Sequence, residues 1–403
     1  MIRLSERSRF AGNAIEELDA IAEKLEYSGK KIAKLNRGDP AAYFPTPKFI
    51  IDAYVNALRE SKSGYSFHAG IKPLRDAICN RQKRLYGLDC NEDEVIVTQG
   101  VSEAISIINS VLINPGDFAA MFSPYYTLYM SSLLVSGGMP ITIRCNSDED
   151  YRMDPDRLRK RLKVMKKKPK YLIFSNPCNP TGHVVERKDL REIADISNDN
   201  GMLIVSDEIY DEIVYNGAKF TSISEVAKGM PMIILGGASK NFDSTGFRIG
   251  YAIIPDIGKE SRMLRDKFAD FAKMRLSSNT PAQYAFLEAL SNEKEHSKSV
   301  KKMVGEIEDR VNFSYDLLSK SRFLKAGRPK GAFYVLAEVD MKKLRFKDDF
   351  ELVRRLLVEE NVQVTRGSGF GAENHIRIVS LPPKEILEYA IRKIDKFLQR
   401  NSK

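Results

Sequence analysis

The sequence predicts an α/β protein: a large domain with a mainly parallel seven-stranded sheet covered by helices, and a smaller α+β domain. Seven short apolar runs between residues 94 and 254 have the composition of buried strands, and helical segments separate most of them. Strands buried on both faces of a parallel sheet are apolar throughout, and alternation with helices is typical of such sheets. After about residue 285 the pattern changes to a long charged helix followed by separated strands, which indicates a second domain.

The elements follow from periodicity and from turn residues. The candidate strands of the large sheet are residues 94–98, 118–122, 140–144, 170–174, 202–206, 232–236 and 249–254. Before them the pattern predicts helices at 14–27, 47–61 and 73–86 and a short strand at 31–36. After them it predicts a helix at about 290–320, strands within 331–339, 362–365 and 375–381, and a helix at 383–399. The predicted division is an N-terminal segment joining the small domain (1–45), the large domain (46–285) and the small domain (286–403).

Composition places the chain among globular proteins, with 43% apolar and 29% charged residues. No apolar run approaches the roughly 18 residues that a membrane helix needs, and the charged N-terminus lacks the apolar core of a secretory signal. The four cysteines have neither CxxC nor metal-ligand spacing, so we expect reduced thiols, a cytoplasmic location and no metal site.

The net charge of +10 raises the possibility of nucleic-acid binding. Its strongest local support is the basic stretch 156–170, where Leu158, Leu162 and Met165 recur at helical spacing. No aromatic residue interleaves the basic ones and no nucleic-acid motif accompanies them. A solvated amphipathic helix is therefore the favoured interpretation, and we expect no nucleic-acid partner, although the charge suits anionic small molecules.

Polar motifs follow four of the predicted strands at the point where each strand ends. They are residues 99–102, 175–182, 207–210 and 239–240. The first precedes an apolar-periodic helix, whose free N–H groups can hold an anion, although Ser102 is also a suitable N-cap. Because parallel strands end at one edge of a sheet, where open α/β folds bind ligands, we expect all four motifs to lie together.

These motifs supply an amine (Lys240), a carboxylate (Asp207), a phenol (Tyr210), an amide (Asn179) and an anion cradle, with the guanidinium of Arg248 close behind. The chain has no GxGxxG, P-loop or GxSxG motif. A phosphorylated cofactor with a pyridine nitrogen, a phenolate and an aldehyde uses every one of these groups. A lysine captures the aldehyde as a Schiff base, and a carboxylate keeps the pyridine nitrogen protonated.

The motifs NPCNPTG (176–182), SDEIY (206–210), the SK of GGASK (236–240) and GFRIGY (246–251) resemble the signature set of class I/II, fold-type I pyridoxal-phosphate aminotransferases. Their order and spacing agree over roughly residues 30–395. The stretches around SDEIY and GFRIGY are most similar to the alanine-aminotransferase-like branch, which includes aspartate-using relatives. The resemblance implies pyridoxal 5′-phosphate as cofactor, bound by the large domain of a homodimer.

The resemblance also implies a role for each matching residue. Lys240 is the Schiff-base lysine, and Asp207 is the carboxylate paired with the pyridine nitrogen. Tyr210 and Asn179 donate hydrogen bonds to the phenolic oxygen, and Tyr126 stacks on the ring. The implied phosphate cradle consists of Gly100, Val101, Ser102, Ser239 and Arg248.

Further roles concern the substrate and the partner subunit. The resemblance makes Arg377, in HIRIVSL, the clamp on the substrate α-carboxylate, although an arginine there is ordinarily a salt-bridged strand residue. Gly38 and Asn179 complete that subsite. Tyr65, in GYSFHAG, matches the tyrosine that reaches the phosphate in the neighbouring subunit, where the alternative is an ordinary core or surface tyrosine.

Two features depart from the family pattern. Arg366 in VTRGSGFG replaces a proline, and is either a solvent-exposed substitution or an extra positive charge near the substrate entrance. No second arginine for a distal carboxylate is identifiable, so a preference for aspartate is in doubt.

The expected reaction is ping-pong transfer of an amino group from an L-amino acid to a 2-oxo acid such as 2-oxoglutarate. Alanine is the expected donor, and aspartate is the second choice. The alternative within the fold is a lyase, decarboxylase or synthase on the same cofactor, because pocket shape decides the outcome. A cofactor-binding transcription regulator is the other alternative. About 30 residues precede the first shared motif, too few for a fused helix-turn-helix domain.

Overall fold

The fold is that of a computed structural model, and the structure describes residues 2–403. The helices are α1 (Asp19–Tyr27), α2 (Lys48–Arg59), α3 (Lys72–Tyr86), α4 (Val101–Leu112), α5 (Thr127–Val135), α6 (Pro155–Lys163), α7 (Arg187–Asp199), α8 (Ile223–Val226), α9 (Lys259–Lys273), α10 (Thr280–Ser291), α11 (Glu293–Leu318), α12 (Asp349–Glu360) and α13 (Lys384–Arg400). Within the described residues, each helix is too short or too polar to cross a bilayer.

Thirteen strands complete the fold of residues 2–403. They are β1 (Ala33–Lys34), β2 (Val95–Thr98), β3 (Phe118–Ser123), β4 (Met139–Arg144), β5 (Tyr171–Ser175), β6 (Leu203–Asp207), β7 (Met232–Gly237), β8 (Gly250–Ile253), β9 (Leu324–Ala326), β10 (Tyr334–Val339), β11 (Val362–Gln363), β12 (Thr365–Arg366) and β13 (His375–Val379).

The seven predicted strands form one seven-stranded sheet, in the order β2-β8-β7-β6-β5-β3-β4. Strand β8 runs antiparallel to β2 and β7, and the other neighbours are parallel. Because β8 is antiparallel to both neighbours, β2 points the same way as β7. The predicted mainly parallel sheet is confirmed, and β2, β5, β6 and β7 all end at one edge.

Both faces of this sheet are buried, which explains why its strands are apolar runs. In β3, Phe122 packs into the core on one face and Met121 into the core on the other. The same division separates Phe174 from Ile173 in β5. Helices on both faces exclude water from the sheet, so its polar residues concentrate where the strands end.

A second layer is built from the chain's two ends. Strands β12-β13-β10-β9 form a four-stranded sheet, and β1 pairs in parallel with β11. Leu18 and Ala22 of the N-terminal segment share a core with residues of β10, β13, α11 and α13. The division at residues 45 and 285 stays a prediction, and residue 285 lies inside α10, which packs on α2 and α3.

The helix predicted at 14–27 is wrong at its start, because α1 begins only at Asp19. The preceding residues form turns whose polar groups are used by other contacts. The side chain of Asn13 accepts from the N–H of Ile15, at 3.1 Å, and from the hydroxyl of Thr127, at 3.2 Å. The carbonyl of Ile15 accepts from the side chain of Asn36, at 2.9 Å. These tertiary contacts replace the helical ones that periodicity predicts.

The amphipathic helix predicted over 156–170 is also too long, because α6 ends at Lys163. Leu158 and Leu162 are buried as expected, while Met165 packs on the same core from the following turn. The ammonium group of Lys168 donates to the carbonyl of Leu162, at 2.6 Å, so a side chain provides the hydrogen bond that this carbonyl in the last turn lacks within the helix. The other predicted long helices appear as α2, α3, α11 and α13.

A buried ion cluster joins α3 to the segments that follow β6 and β7. The guanidinium of Arg81 donates to Asp211, at 2.8 Å, and to Glu212, at 2.5 Å. The other oxygen of Asp211 accepts from the side chain of Asn241, and Glu212 also lies 3.0 Å from Nε2 of His296 in α11. Asp211 follows Tyr210 and Asn241 follows Lys240, so the cluster fixes both segments.

We predict that Arg81→Met lowers the free energy of unfolding by about 3–5 kcal/mol, because it leaves buried carboxylates without their cation. The measurement is urea-induced unfolding. Arg84→Met in the same helix is the control, because Arg84 pairs with Glu293 at an exposed position and such pairs contribute about 1 kcal/mol or less. Equal losses in the two variants would contradict the prediction.

Candidate active site

The strand ends of the large sheet enclose a cavity of about 210 Å³. Ten of the predicted site residues line it: Gly38, Val101, Ser102, Tyr126, Asn179, Asp207, Tyr210, Ser239, Lys240 and Arg248. A larger cavity of about 820 Å³, lined by Arg144, Glu338 and His375, contains none of the predicted site residues. The chemistry expected from the sequence therefore converges on the smaller cavity.

Lys240 follows β7, whose last residue, Gly237, lets the neighbouring backbone approach closely. A Cβ on Gly237 would lie 2.7 Å from the carbonyl oxygen of Ile249 in the adjacent segment. The Lys240 amine donates to the carbonyl of Gly38, at 2.7 Å. Desolvation is the largest influence on its pKa and lowers it to about 8, because the charged form loses water. The amine therefore loses its proton much closer to neutral pH than an ordinary lysine does.

Nearby charges act on the Lys240 amine in opposite directions. Asp39 and Asp207 raise its pKa, whereas Arg248 and Arg377 lower it. Asp39 is held by the hydroxyl of Thr245, at 2.6 Å, and by the N–H of Ala41, at 3.2 Å. Its carboxylate therefore stays near the amine and favours the charged form.

Asp207 is the last residue of β6 and is buried. The hydroxyl of Tyr129 donates to its Oδ2, at 2.7 Å, and the N–H of Ile209 donates to its Oδ1, at 3.3 Å. Burial raises the pKa of Asp207 to about 6, against the lowering influence of these donors and of Lys240. A carboxylate in this position is suited to pair with a cationic ring nitrogen.

The phenol of Tyr210 meets a partner that the sequence did not identify. Its hydroxyl lies 2.8 Å from the hydroxyl of Tyr334, the first residue of β10, and both side chains are buried. Burial raises the pKa of both phenols, so both stay protonated. Tyr334 lies in an apolar strand pattern that predicts a core residue, so nothing in the sequence marks it as a site residue.

Arg377 lies in β13 and is completely buried. Its guanidinium donates to the side-chain oxygen of Asn179, at 3.0 Å, and to the carbonyl of Asn36. The rings of Tyr334 and Phe370 lie 4.7 and 4.5 Å from its guanidinium carbon. Its Nε is buried without a partner, and burial lowers its pKa. Arg377 is thus behind the cavity wall rather than on it, with one donor free for an acceptor.

An anion cradle lies at the start of α4. Gly100 occupies the N-cap position with a φ of 75°, and no side chain caps the helix. A Cβ on Gly100 would lie 2.6 Å from Nη2 of Arg248, so glycine is what allows the guanidinium to approach. The free helix N-terminus, the hydroxyls of Ser102 and Ser239 and the Arg248 guanidinium line the same cavity. Together they suit a phosphate group.

Two predicted residues complete the inner site. Tyr126 precedes α5 and its ring meets that of Tyr129 edge to face, with centroids 5.6 Å apart. A Cβ on Gly38 would overlap the Tyr334 hydroxyl, so this backbone can approach Lys240 only as glycine. Both residues line the cavity, as expected from the sequence.

Tyr65 is not brought into this cavity. Its side chain is 83% exposed and lines an outer hollow together with Gln99, Ser277 and Arg248. Arg248 lines both spaces, so Tyr65 lies on the far side of the guanidinium that borders the cradle.

Arg366 fits neither interpretation offered by the sequence. Its guanidinium donates to the carboxylate of Glu17, at 2.6 and 3.2 Å, and to the hydroxyl of Ser368, at 2.6 Å. The side chain is 27% exposed and does not line the cavity. The arginine that does line its outer part is Arg37, beside Glu16. Sequence reasoning missed Arg37, although it directly precedes the predicted site residue Gly38.

Comparisons with known proteins find matches over nearly the whole chain. Residues 30–394 match the family model described as aminotransferase class I and II. An aspartate aminotransferase of Bacillus sp. strain YM-2 is 33% identical over 95% of both chains. A glutamate-pyruvate aminotransferase of Haemophilus influenzae is 32% identical over 94% of this chain and 93% of that protein. The solved alanine aminotransferase of Pyrococcus furiosus matches with a TM-score of 0.93 and 33% identity, covering 99% of this chain and 100% of that one.

We predict that Lys240 reacts with an amine-directed label at lower pH than surface lysines do. Only the neutral amine reacts, so labelling of the cofactor-free protein should increase as pH rises through about 8, the lowered pKa of Lys240. Asp39→Asn should move this midpoint to still lower pH, because the Asp39 carboxylate favours the charged amine. The measurement is peptide mapping after brief labelling across a pH series.

The control is Asp156→Asn, which removes a carboxylate that pairs with Arg159 on the exposed face of α6. It should leave the Lys240 midpoint unchanged. A Lys240 midpoint near 10.5, the ordinary lysine value, would contradict the prediction.

Proposed function

The chain belongs to the aminotransferase class I and II family, and from this premise we propose that it binds pyridoxal 5′-phosphate at the carboxyl edge of its seven-stranded sheet. It is an aminotransferase, and its substrates are an amino acid and an oxo acid. We propose L-alanine as the preferred donor, then L-aspartate, with 2-oxoglutarate as the acceptor. The names of its relatives, which include alanine, glutamate-pyruvate and aspartate aminotransferases, support this choice.

One observation carries the cofactor proposal: a single cavity gathers the amine of Lys240, the carboxylate of Asp207 and the anion cradle. The residues fit the chemical parts of the cofactor. The uncapped N-terminus of α4 and Arg248 suit its phosphate, and the glycine at position 100 leaves room for that guanidinium. The buried Asp207 suits its ring nitrogen, because a carboxylate removed from water stabilises a nearby cation.

The remaining side chains would orient the ring. Tyr126 would cover one face of the ring, and Tyr210 and Asn179 would donate hydrogen bonds to its phenolic oxygen. Tyr210 is protonated because burial raises its pKa, so it is available as a donor. Its neighbour Tyr334, 2.8 Å away, fixes the direction of the phenol.

When bound, pyridoxal 5′-phosphate supplies an aldehyde that condenses with amines and a protonated ring that withdraws electrons from the substrate Cα. Lys240 would hold the proton that is moved during amino transfer. An efficient proton carrier has a pKa near the working pH, and the lowered value of about 8 satisfies this condition. The carbonyl of Gly38 holds the amine in place at 2.7 Å.

Arg377 would bind the α-carboxylate that all the substrates share. Its planar guanidinium can make paired hydrogen bonds to a carboxylate. Its buried Nε has no partner, and its guanidinium donates only to neutral groups: the side chain of Asn179, the carbonyl of Asn36 and the hydroxyl of Thr365. A carboxylate ligand would satisfy the unused donor and supply the missing counter-charge.

The proposal includes a homodimer in which Tyr65 of the partner subunit reaches the phosphate. The exposure of Tyr65 and its position beyond Arg248 support a role outside its own chain's cavity. It also includes a cytoplasmic location, in keeping with the four free cysteines of the described chain. The domain division proposed from the sequence assigns the cofactor to residues 46–285.

We predict that Lys240→Ala lowers transamination of L-alanine with 2-oxoglutarate by at least about 10²–10⁴-fold, because the group that moves the proton is lost. In the wild-type protein loaded with the cofactor, borohydride reduction and peptide mapping should place the modification on Lys240. Lys228→Ala, at an exposed position, is the control and should keep full activity. Modification of another lysine, or pyruvate and ammonia formed without amino transfer, would contradict the proposal.

We predict that Tyr65→Phe weakens cofactor binding about 10- to 100-fold, the effect of losing a hydrogen bond to a charged group. A hybrid dimer shows which chain uses the tyrosine. If Tyr65 acts across the interface, a dimer of one Lys240→Ala and one Tyr65→Phe subunit contains one intact site. Purified hybrids, assayed at limiting cofactor, should then have about half of the wild-type activity.

If Tyr65 acts within its own chain, both sites of the hybrid carry a defect. One site lacks Lys240 and the other lacks the Tyr65 hydroxyl, so activity at limiting cofactor falls to about half that of the Tyr65→Phe homodimer. Sedimentation analysis of the wild-type protein provides the independent check, because a monomer at assay concentration would contradict the interface.

A further inference from the structure

The outer part of the cavity carries a pair of charges that the proposed chemistry does not use. Glu16 comes from the turns before α1, and Arg37 comes from the segment between β1 and α2. The other charged residues lining this cavity are Asp207, Lys240 and Arg248, all assigned above to the cofactor. The pair is therefore available to contact the variable part of a substrate.

Arg37 lies between two residues that contact the inner site. The carbonyl of Asn36 accepts from Arg377, and the carbonyl of Gly38 accepts from Lys240. A substrate whose amino group is near Lys240 and whose α-carboxylate is near Arg377 therefore lies alongside this three-residue segment. The guanidinium of Arg37 is the positive group that the segment presents to the cavity lining.

The two carboxylates that contact Arg37 differ in how firmly they are held. Asp19 lies 2.6 Å from Nη2 of Arg37, and its other oxygen accepts from Asn36, at 3.1 Å, and from Gln363, at 2.7 Å. Glu16 lies 3.3 Å from the same Nη2, and within residues 2–403 its carboxylate contacts no other donor. Asp19 thus orients the arginine, while Glu16 is free to move away.

Because Arg37 and Glu16 are exposed, replacing the Glu16 carboxylate by that of a ligand costs little free energy. The side chains of Arg37 and Glu16 are each 57% exposed, and ion pairs in water contribute little to stability. A carboxylate from a ligand can replace Glu16 without leaving a buried charge unpaired. Glu16 in turn neutralises Arg37 when the ligand has no second carboxylate.

We propose that Arg37 binds the distal carboxylate of dicarboxylic substrates and that Glu16 takes that place when the substrate is monocarboxylic. The inference rests on the proposed function and specifies its substrate class: 2-oxoglutarate, L-glutamate and L-aspartate use Arg37, whereas L-alanine and pyruvate leave the Glu16–Arg37 pair intact. It supplies the second arginine that the sequence did not reveal. Arg37 is a specificity residue, and Asp19 is its positioning residue.

The first test compares half-reactions of the cofactor-loaded enzyme with L-glutamate, L-aspartate and L-alanine. Arg37→Gln should lower kcat/KM for the two dicarboxylic donors about 10- to 100-fold, the effect of losing a hydrogen-bonded charge pair. The value for L-alanine should change less than about twofold. Glu16→Gln should raise kcat/KM for the dicarboxylic donors about 2- to 5-fold, because an exposed competitor is removed.

Arg366→Gln is the matched control. Arg366 also anchors the N-terminal segment through a glutamate, Glu17, but does not line the cavity. This variant tests whether loosening the N-terminal segment alone changes donor preference. We expect the ratio of kcat/KM for L-glutamate to kcat/KM for L-alanine to stay within about twofold of the wild-type ratio. Arg37→Lys, which keeps the charge, should restore part of the activity towards dicarboxylic donors.

Binding of unreactive acids provides a readout that needs no turnover. By calorimetry on the loaded enzyme, Arg37→Gln should weaken glutarate about 10- to 100-fold and leave butyrate unchanged. Equal losses for glutarate and butyrate, or for L-glutamate and L-alanine, would assign Arg37 a merely structural role and overturn the inference. Unchanged affinities for glutarate and butyrate, together with unchanged kcat/KM for L-glutamate and L-alanine, would also overturn it.

These outcomes separate the inference from the proposed function. An enzyme that transaminates L-alanine normally, with dicarboxylic donors unaffected by Arg37→Gln, contradicts the role of Arg37 alone. A wild-type enzyme that reacts with no amino acid contradicts the proposed function and this inference together.

Discussion

The site depends on one constraint, the desolvation of a single amine at the edge of the sheet. Removing a lysine from water disfavours its charged form, and for Lys240 this effect exceeds the opposing influence of Asp39 and Asp207, so its pKa is lowered to about 8. The glycines that end β7 and the carbonyl of Gly38 define where the amine lies. The amine is therefore able both to hold a proton and to release it near neutral pH, which amino transfer requires.

The large sheet cannot build this environment alone, because Gly38 and Arg377, which both act on the amine, come from opposite ends of the chain. Leu35 donates to the carbonyl of Gln363 and accepts from the N–H of Val379, at 2.8 and 3.0 Å. The N-terminal segment is thereby inserted between β11 and β13. The carbonyl of Asn36 then reaches Arg377, and that of Gly38 reaches Lys240. The fold thus joins the proposed carboxylate site to the amine through three consecutive residues.

The sequence predicted the strand-end residues because buried parallel strands have a distinctive composition and parallel strands end at a common edge. Lys240, Asp207, Tyr210 and Asn179 line one cavity for that reason. Contacts between segments far apart in the chain left no such pattern. Tyr334 had the pattern of a core residue. Arg366 was considered as a positive charge near the substrate entrance, whereas in the structure it pairs with Glu17. The start of α1 was predicted too early for the same reason, because Asn13 and Ile15 form hydrogen bonds with distant segments instead of helical ones.

The two arginines near the substrate space differ in their surroundings, and the difference matches what each would bind. Arg377 is completely buried between aromatic rings and has an unused donor, so a missing counter-charge is costly there. It suits the α-carboxylate, which is part of all these substrates. Arg37 is exposed and already paired with Glu16, so its charge is compensated with or without a ligand. It suits a carboxylate that only some substrates have, because an exposed pair can be exchanged at little cost.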